Sequence, residues 1–355
     1  MDARIPTTMK ALVLERHDPD AARAVRSLEL DERPVPQPGR GQVLVRVEAA
    51  PCNPSDLLFL QGLYGVEKTL PTVPGWEGAG TVVASGGGML GRWLVGKTVA
   101  CGGQEDRDGT WSQYALFPVS SCAPLGRELT VAQGATMLVN PLTAMGLHAL
   151  ARGGGHRAAV QNAAASQVGR MLVRLAAEAG LPLVNIVRRA EQAELLRSLG
   201  AEHVLDSSEP SFHDQLTRAC RDMDVTIAFD AIGGEATGLL VDAMRPRAHV
   251  VVYGALSEQP CSGIDPIAVI FRDKRVQGFY LGAWLQKVGF LRRLRILSQV
   301  RRLIASGHLE TVVQRQVGLE SAVEALLEYL DRPTDGKILI RPHGPRPLAA
   351  HGSPE

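Results

Sequence analysis

The chain has 355 residues, 45% of them hydrophobic and 21% charged, with a formal net charge of +1. That length accommodates two domains, each with its own core, and the near-zero charge excludes bulk electrostatic binding to nucleic acid. No apolar run reaches membrane-spanning length, and the opening Met1-Asp2-Ala3-Arg4-Ile5-Pro6 lacks a signal-peptide core, so a soluble cytoplasmic protein is expected. The five cysteines, Cys52, Cys101, Cys122, Cys220 and Cys261, form no C-x-x-C pair, which argues against a disulfide framework and a structural zinc site.

In chain order, residues 9 to about 128 read as short strands separated by Gly/Pro turns. Gln42–Ala49 alternates like a half-buried strand, and 78–84, 95–100 and 111–116 follow the same rule. One helical piece is expected near Pro54–Leu60.

From about 129 to 282 the pattern changes to alternating strands (158–161, 183–187, 203–205, 225–229, 248–252) and helices (168–179, 190–199, 235–244). Such alternation implies a parallel sheet with right-handed crossovers. The segment Gln161-Asn162-Ala163-Ala164-Ala165-Ser166-Gln167-Val168-Gly169 links the first of these strands to the first of these helices. Small side chains there let backbone approach a pyrophosphate, and a helix N-terminus offers unpaired N–H groups, so Ala165, Ser166, Gln167, Val168 and Gly169 are candidate cofactor contacts. Only the last glycine of a G-x-G-x-x-G is present, as Gly169, and an ordinary strand-to-helix turn has the same local appearance. The strand at 183–187 ends in Arg188-Arg189, where an NAD site usually carries an acid. Two arginines suit a 2′-phosphate and favour NADPH. The strand-ending glycine turns at Phe229–Gly234 and Val251–Ala255 mark sheet ends of the kind that bind ligands.

From about 283 an amphipathic helix runs through Phe290, Leu294, Leu297, Val300 and Ile304, and a last strand is expected at Lys337–Ile340. The tail from Arg341, rich in Pro, Gly and His, reads as disordered.

Six motifs in this order resemble the medium-chain dehydrogenase/reductase superfamily, and within it the mitochondrial-type 2-enoyl thioester reductases and the quinone oxidoreductases. They are Asn53-Pro54-Ser55-Asp56, Gln61-Gly62-Leu63-Tyr64-Gly65, Asn140-Pro141-Leu142-Thr143-Ala144, Val160-Gln161-Asn162-Ala163-Ala164, Ile270-Phe271-Arg272-Asp273 and Gly278-Phe279-Tyr280-Leu281. The resemblance spans about residues 9–342. It implies an α/β fold with a GroES-like β-rich catalytic domain (1–128), a doubly wound Rossmann domain (129–282), a return segment (283–342) and a tail (343–355). It also implies a homodimer built by edge pairing of the dinucleotide sheets.

The resemblance implies a zinc-free site. Zinc alcohol dehydrogenases of this superfamily carry a ligating histidine where this chain has Trp76 in Pro74-Gly75-Trp76-Glu77-Gly78, and Asn53 replaces the early-loop cysteine, although Cys52 is adjacent. An indole cannot ligate zinc. A hydrogen-bond donor must then replace the Lewis acid. The resemblance makes Tyr64 that donor; a loop aromatic between Gly62 and Gly65 that merely covers the core has the same local sequence. It places Asn140 beside the nicotinamide ribose or carboxamide, against the alternative of an Asn-Pro helix start. Tyr253, Gly254, Ala255 and Leu256, with Phe279, Tyr280 and Leu281, match the segments along the nicotinamide, and Tyr280 stands where the family usually has tryptophan. Lys337 matches a lysine near the cofactor phosphate or is a solvated strand-end lysine. Arg292, Arg293, Arg295, Arg301 and Arg302 suit coenzyme A phosphates or an acidic acyl-carrier protein, or form a solvated face. The expected activity is NADPH-dependent reduction of 2-enoyl thioesters; the alternatives are an NADPH:quinone or enone reductase and a non-catalytic cofactor-binding member.

Overall fold

A computed structural model of the chain describes residues 5–103 and 106–344. Of the expected disordered tail, 345–355 lies outside the described residues. The chain forms two units: Met1–Leu138 with Thr311–Glu355, and Val139–Glu310. The sequence expectation put the changes of pattern at about 128 and 283.

The first unit opens with strands β1 (Thr8–Leu14), β2 (Leu28–Pro34), β3 (Gln42–Pro51), β4 (Glu77–Ser85), β5 (Thr98–Gly102), β6 (Tyr114–Pro118) and β7 (Cys122–Pro124). The second holds β8 (Ala159–Gln161), β9 (Leu183–Val187), β10 (His203–Asp206), β11 (Ile227–Asp230), β12 (His249–Val252) and β13 (Arg275–Gly278). The chain returns to the first with β14 (Val313–Val317) and β15 (Lys337–Ile340).

In the first unit β1 and β2 form an antiparallel ribbon, and a seven-stranded sheet runs β14-β15-β3-β4-β5-β7, with β6 on β3. The long β3 is its hub, because its Val-rich sequence presents apolar side chains to the core (Val43, Val45 and Val47 are fully buried). The Gly-Ala-Gly start of β4 has a steric cause. A Cβ on Gly80 would lie 2.0 Å from the Arg46 carbonyl oxygen, so β4 can pair with β3 there only as glycine. The expected helical piece is the helix Pro54–Leu60, with Pro in its first turn, where the missing N–H costs nothing. His343, within the expected tail, packs edge-on against Tyr114 with ring centres 5.7 Å apart.

The second unit is a six-stranded parallel sheet ordered β10-β9-β8-β11-β12-β13. Strands β8 to β12 and the helices Gln167–Ala179, Ala190–Ser198 and Glu235–Ala243 lie within two residues of the segments read from the sequence, whereas β13, whose Arg-Val-Gln-Gly sequence holds no apolar run, was not read as a strand. The chain leaves β8 at the middle of the sheet toward β9 and later returns beside β8 as β11, which puts the switch of strand order at the carboxyl ends of β8 and β11. The late amphipathic helix is Phe290–Ala305. Only the end of its apolar stripe is buried, at Val300 and Ile304, while Phe290 and Leu294 are exposed. Among the described residues no helix is long and apolar enough to cross a membrane.

Candidate active site

The turn after β8 is built for a tight passage into the helix Gln167–Ala179. Ala163 sits at φ 46°, in the left-handed region, where a non-glycine residue costs roughly 1–2 kcal/mol. Ser166 caps the helix by accepting the Gly169 N–H at 3.2 Å, and the Ala164 N–H reaches the Ile186 carbonyl at 3.1 Å. A Cβ on Gly169 would lie 2.4 Å from the Ala164 carbonyl oxygen. Gly169 is therefore required by close packing of helix on turn. The preceding Gln167 is buried, and Gln161 donates to the Gly169 carbonyl at 3.0 Å and to Asn185 Oδ1 at 2.7 Å, fastening the turn to β9.

A second brace comes from Asp230 at the end of β11. Its Oδ1 accepts Asn162 Nδ2 at 2.6 Å and the N–H groups of Ile232 and Gly233, and its Oδ2 accepts the Thr237 hydroxyl at 2.6 Å. Asn162 Oδ1 in turn accepts the Ala231 N–H at 2.7 Å. One buried carboxylate thus satisfies four donors and joins the ends of β8 and β11. The sequence reading marks Phe229–Gly234 as a glycine turn but does not single out Asp230. The only signal available was an acid ending an apolar strand before Gly-Gly.

Tyr253, Gly254, Ala255 and Leu256 follow β12 at the same carboxyl edge, with Tyr253 N–H on the Asp230 carbonyl at 2.9 Å. The Tyr253 hydroxyl is buried without a hydrogen-bond partner of ordinary geometry. Burial first, then the Asp230 charge, hold its proton on, while nearby Ser166 pulls the other way. An orphaned hydroxyl beside the capping serine, at a turn of small side chains and a helix N-terminus, fits a phosphate-bearing ligand with unused acceptors. Arg188 and Arg189 are exposed where β9 ends, free of the sheet's interior. Phe279, after β13, packs its ring over Gly146 of the helix Asn140–Gly153. A Cβ on Gly146 would meet that ring at 2.5 Å, so this glycine seats the Phe279 side chain along the helix that Asn140 begins. Asn140 is buried, Tyr280 and Leu256 are exposed, and Leu281 opens the helix Leu281–Lys287.

In the first unit, Tyr64 is half-buried on the core, its ring 5.1 Å from Trp76 and tilted 42° to it. Asn53, at the place of a ligating cysteine, donates through Nδ2 to Glu77 Oε1 at 2.9 Å, and Glu77 Oε2 accepts the Leu138 N–H at 3.0 Å. An amide, an indole and an engaged carboxylate make no metal-binding set, and among the described residues no cluster of three or more His, Cys, Asp or Glu side chains could hold an ion. Lys337 is buried, not solvated at a strand end, and its amine lies 3.4 Å from the Tyr329 hydroxyl.

Residues 39–127 match the family model described as alcohol dehydrogenase GroES-like domain, and 168–294 match that described as zinc-binding dehydrogenase. The chain is 30% identical over 340 residues to a mitochondrial enoyl-[acyl-carrier-protein] reductase of Homo sapiens, covering 91% of this chain and 87% of that protein. The same enzyme of Arabidopsis thaliana is 31% identical over 286 residues, 78% of this chain and 73% of the relative. Among solved structures, a putative NADPH:quinone reductase from Mesorhizobium loti superposes with a TM-score of 0.90 at 34% identity, covering 95% of this chain and 99% of that one.

Proposed function

This chain belongs to the medium-chain dehydrogenase/reductase superfamily, as a zinc-free member, and on that footing we propose that it is an NADPH-dependent reductase of conjugated double bonds, acting first on 2-enoyl thioesters. The observation that carries the reading is the Trp76–Tyr64 pair: where a metal-dependent relative needs a ligand, this chain has an indole that seats a phenol. NADPH, when bound, supplies the hydride. Ala165, Ser166, Gln167, Val168 and Gly169 would hold its pyrophosphate, Arg188 and Arg189 its 2′-phosphate, and Tyr253, Gly254, Ala255, Leu256, Phe279, Tyr280 and Leu281 its nicotinamide half, with Asn140 beside the ribose. Lys337, buried with its amine near the Tyr329 hydroxyl, is the candidate for a cofactor phosphate.

Reduction at the β-carbon moves negative charge onto the acceptor's carbonyl oxygen. Tyr64 donates its O–H to that oxygen, and one such preorganised donor stabilises the transition state by roughly 3 kcal/mol. The α-carbon then takes a proton from Tyr64 or from a water held beside it. A quinone accepts hydride by the same logic, and the 34% identity to the Mesorhizobium loti protein favours that second reading.

We read the enzyme as cytoplasmic, which five unpaired cysteines support, and as a homodimer. The dimer is supported by β13, an edge strand whose four residues are all exposed, beside exposed Ile270 and Phe271. Loss of NADPH absorbance with crotonyl-CoA and with a simple quinone, in parallel, tests the function. NADPH-selective turnover of crotonyl-CoA is expected. Turnover of the quinone alone would move the function to the second reading, and failure to bind NADPH would leave a non-catalytic member of the fold.

A further inference from the structure

The helix Pro54–Leu60 and the turn into β4 share a set of buried ionisable groups that the proposed reaction does not use. Asp56, on that helix, is completely buried. Its Oδ2 accepts the Asn53 N–H at 2.7 Å, and its Oδ1 accepts the Trp76 N–H at 3.1 Å. Trp76 also donates its indole N–H to the Ser55 carbonyl at 3.3 Å and meets the Phe59 ring edge-on at 5.3 Å. Backbone, indole nitrogen and ring therefore all fasten Trp76 to one short helix, and Tyr64 rests on that same indole.

We infer that Asp56 is a positioning residue: its carboxylate ties Trp76 to the helix Pro54–Leu60 and thereby sets the face on which the Tyr64 phenol stands. The inference rests on the role proposed for Tyr64. Both carboxylate oxygens serve as acceptors, one for each backbone N–H. A protonated carboxyl keeps one good acceptor and turns the other oxygen into a donor, so protonation releases one of the two ties.

The groups facing Asp56 are Lys337 from β15, Glu77 from β4, Cys52 just after β3 and Tyr329 from the helix Ala322–Asp331. Burial pushes the Asp56 carboxyl up to about 7; the Asn53 N–H and Lys337 pull it down, and Glu77 adds to the rise. Burial and the Asp56 charge hold the Cys52 thiol protonated, and burial does the same for the Tyr329 hydroxyl, so neither changes charge near neutrality. The exchange between one tie and two thus falls in the neutral range, with both present above it.

Amide chemical shifts of the full chain, followed from about pH 5.5 to about pH 8.5, test this without any substrate. At least one of the Asn53 and Trp76 amide protons should move downfield through about 7 as the second carboxylate tie forms, with the β9 amides as an unmoved reference. Asp56→Asn should abolish that movement. Where an acceptor is turned over, kcat/KM should rise with pH through about 7 in the wild type and lose that inflection in Asp56→Asn. Two amide shifts that both stay fixed across this range in the wild type overturn the inference, and so does an inflection that survives in Asp56→Asn. If Asp56→Asn does not fold, the wild-type titration decides alone. A chain that reduces neither crotonyl-CoA nor quinone defeats the proposed function while leaving the titration to judge Asp56.

Discussion

At the scale of single residues, replacing Tyr64 by Phe removes one hydroxyl and leaves the ring stacked on Trp76. Turnover should fall about 10²–10³-fold with NADPH affinity nearly unchanged, read from kcat beside a fluorescence titration of the cofactor. Unchanged turnover would remove Tyr64 from the chemistry. Asp56 carries a second expectation, in stability. Its folded-state value of about 7 exceeds the ordinary aspartate value of 3.8, so between these limits the folded protein holds a proton that the unfolded chain releases. Stability must then fall as pH rises through that window, by at most about 4 kcal/mol at 1.36 kcal/mol per unit. Thermal melts from acid to neutral pH should show this decline in the wild type and a flatter curve in Asp56→Asn. The thiols divide just as sharply. Cys261 is exposed, whereas Cys52 and Cys101 are buried and pushed well up, and Cys122 is pushed up to about 12 by burial. A thiol reagent should label Cys261 in the native protein and reach Cys52 and Cys101 only on unfolding, as peptide mapping would report.

At the scale of elements, the β8-to-helix turn and the end of β9 carry separable tasks. Replacing Arg188 and Arg189 together by Ala should raise KM for NADPH far more than for NADH, because only the former carries a 2′-phosphate. Equal losses would show that neither arginine reads it. Gly169→Ala should instead act on packing, since its Cβ meets backbone that cannot swing aside; a loss of about 1–3 kcal/mol is expected in denaturant titrations. The turn itself was legible from its small residues and flanking apolar runs. What braces it was not, because Asn162 and Asp230 are 68 residues apart in sequence and meet only through the pairing of β8 with β11. The late helix shows the converse. Its period was plain, but periodicity states which side is apolar and not what covers it, and Phe290 and Leu294 are exposed on a stripe that sinks only at Val300 and Ile304.

At the scale of the molecule, an edge strand exposed along its length beside Ile270 and Phe271 should be covered by a second copy. Light scattering should give twice the 38.0 kDa chain mass, and Ile270→Asp with Phe271→Asp should return it to that mass. The amino-acid sequence by itself determined the β-rich and alternating regions, five of the six strands of the parallel sheet, the absence of metal-ligating side chains at Asn53 and Trp76, and the pair of arginines after β9. These depend on local period, turn chemistry and residue type, all of which are written along the chain. Only the tertiary structure decided that Lys337 is buried, that Asn162 donates to Asp230, and that Asp56 accepts the backbone N–H of Trp76. Burial and these partnerships are properties of residues brought together from afar, and no short window of sequence contains both partners.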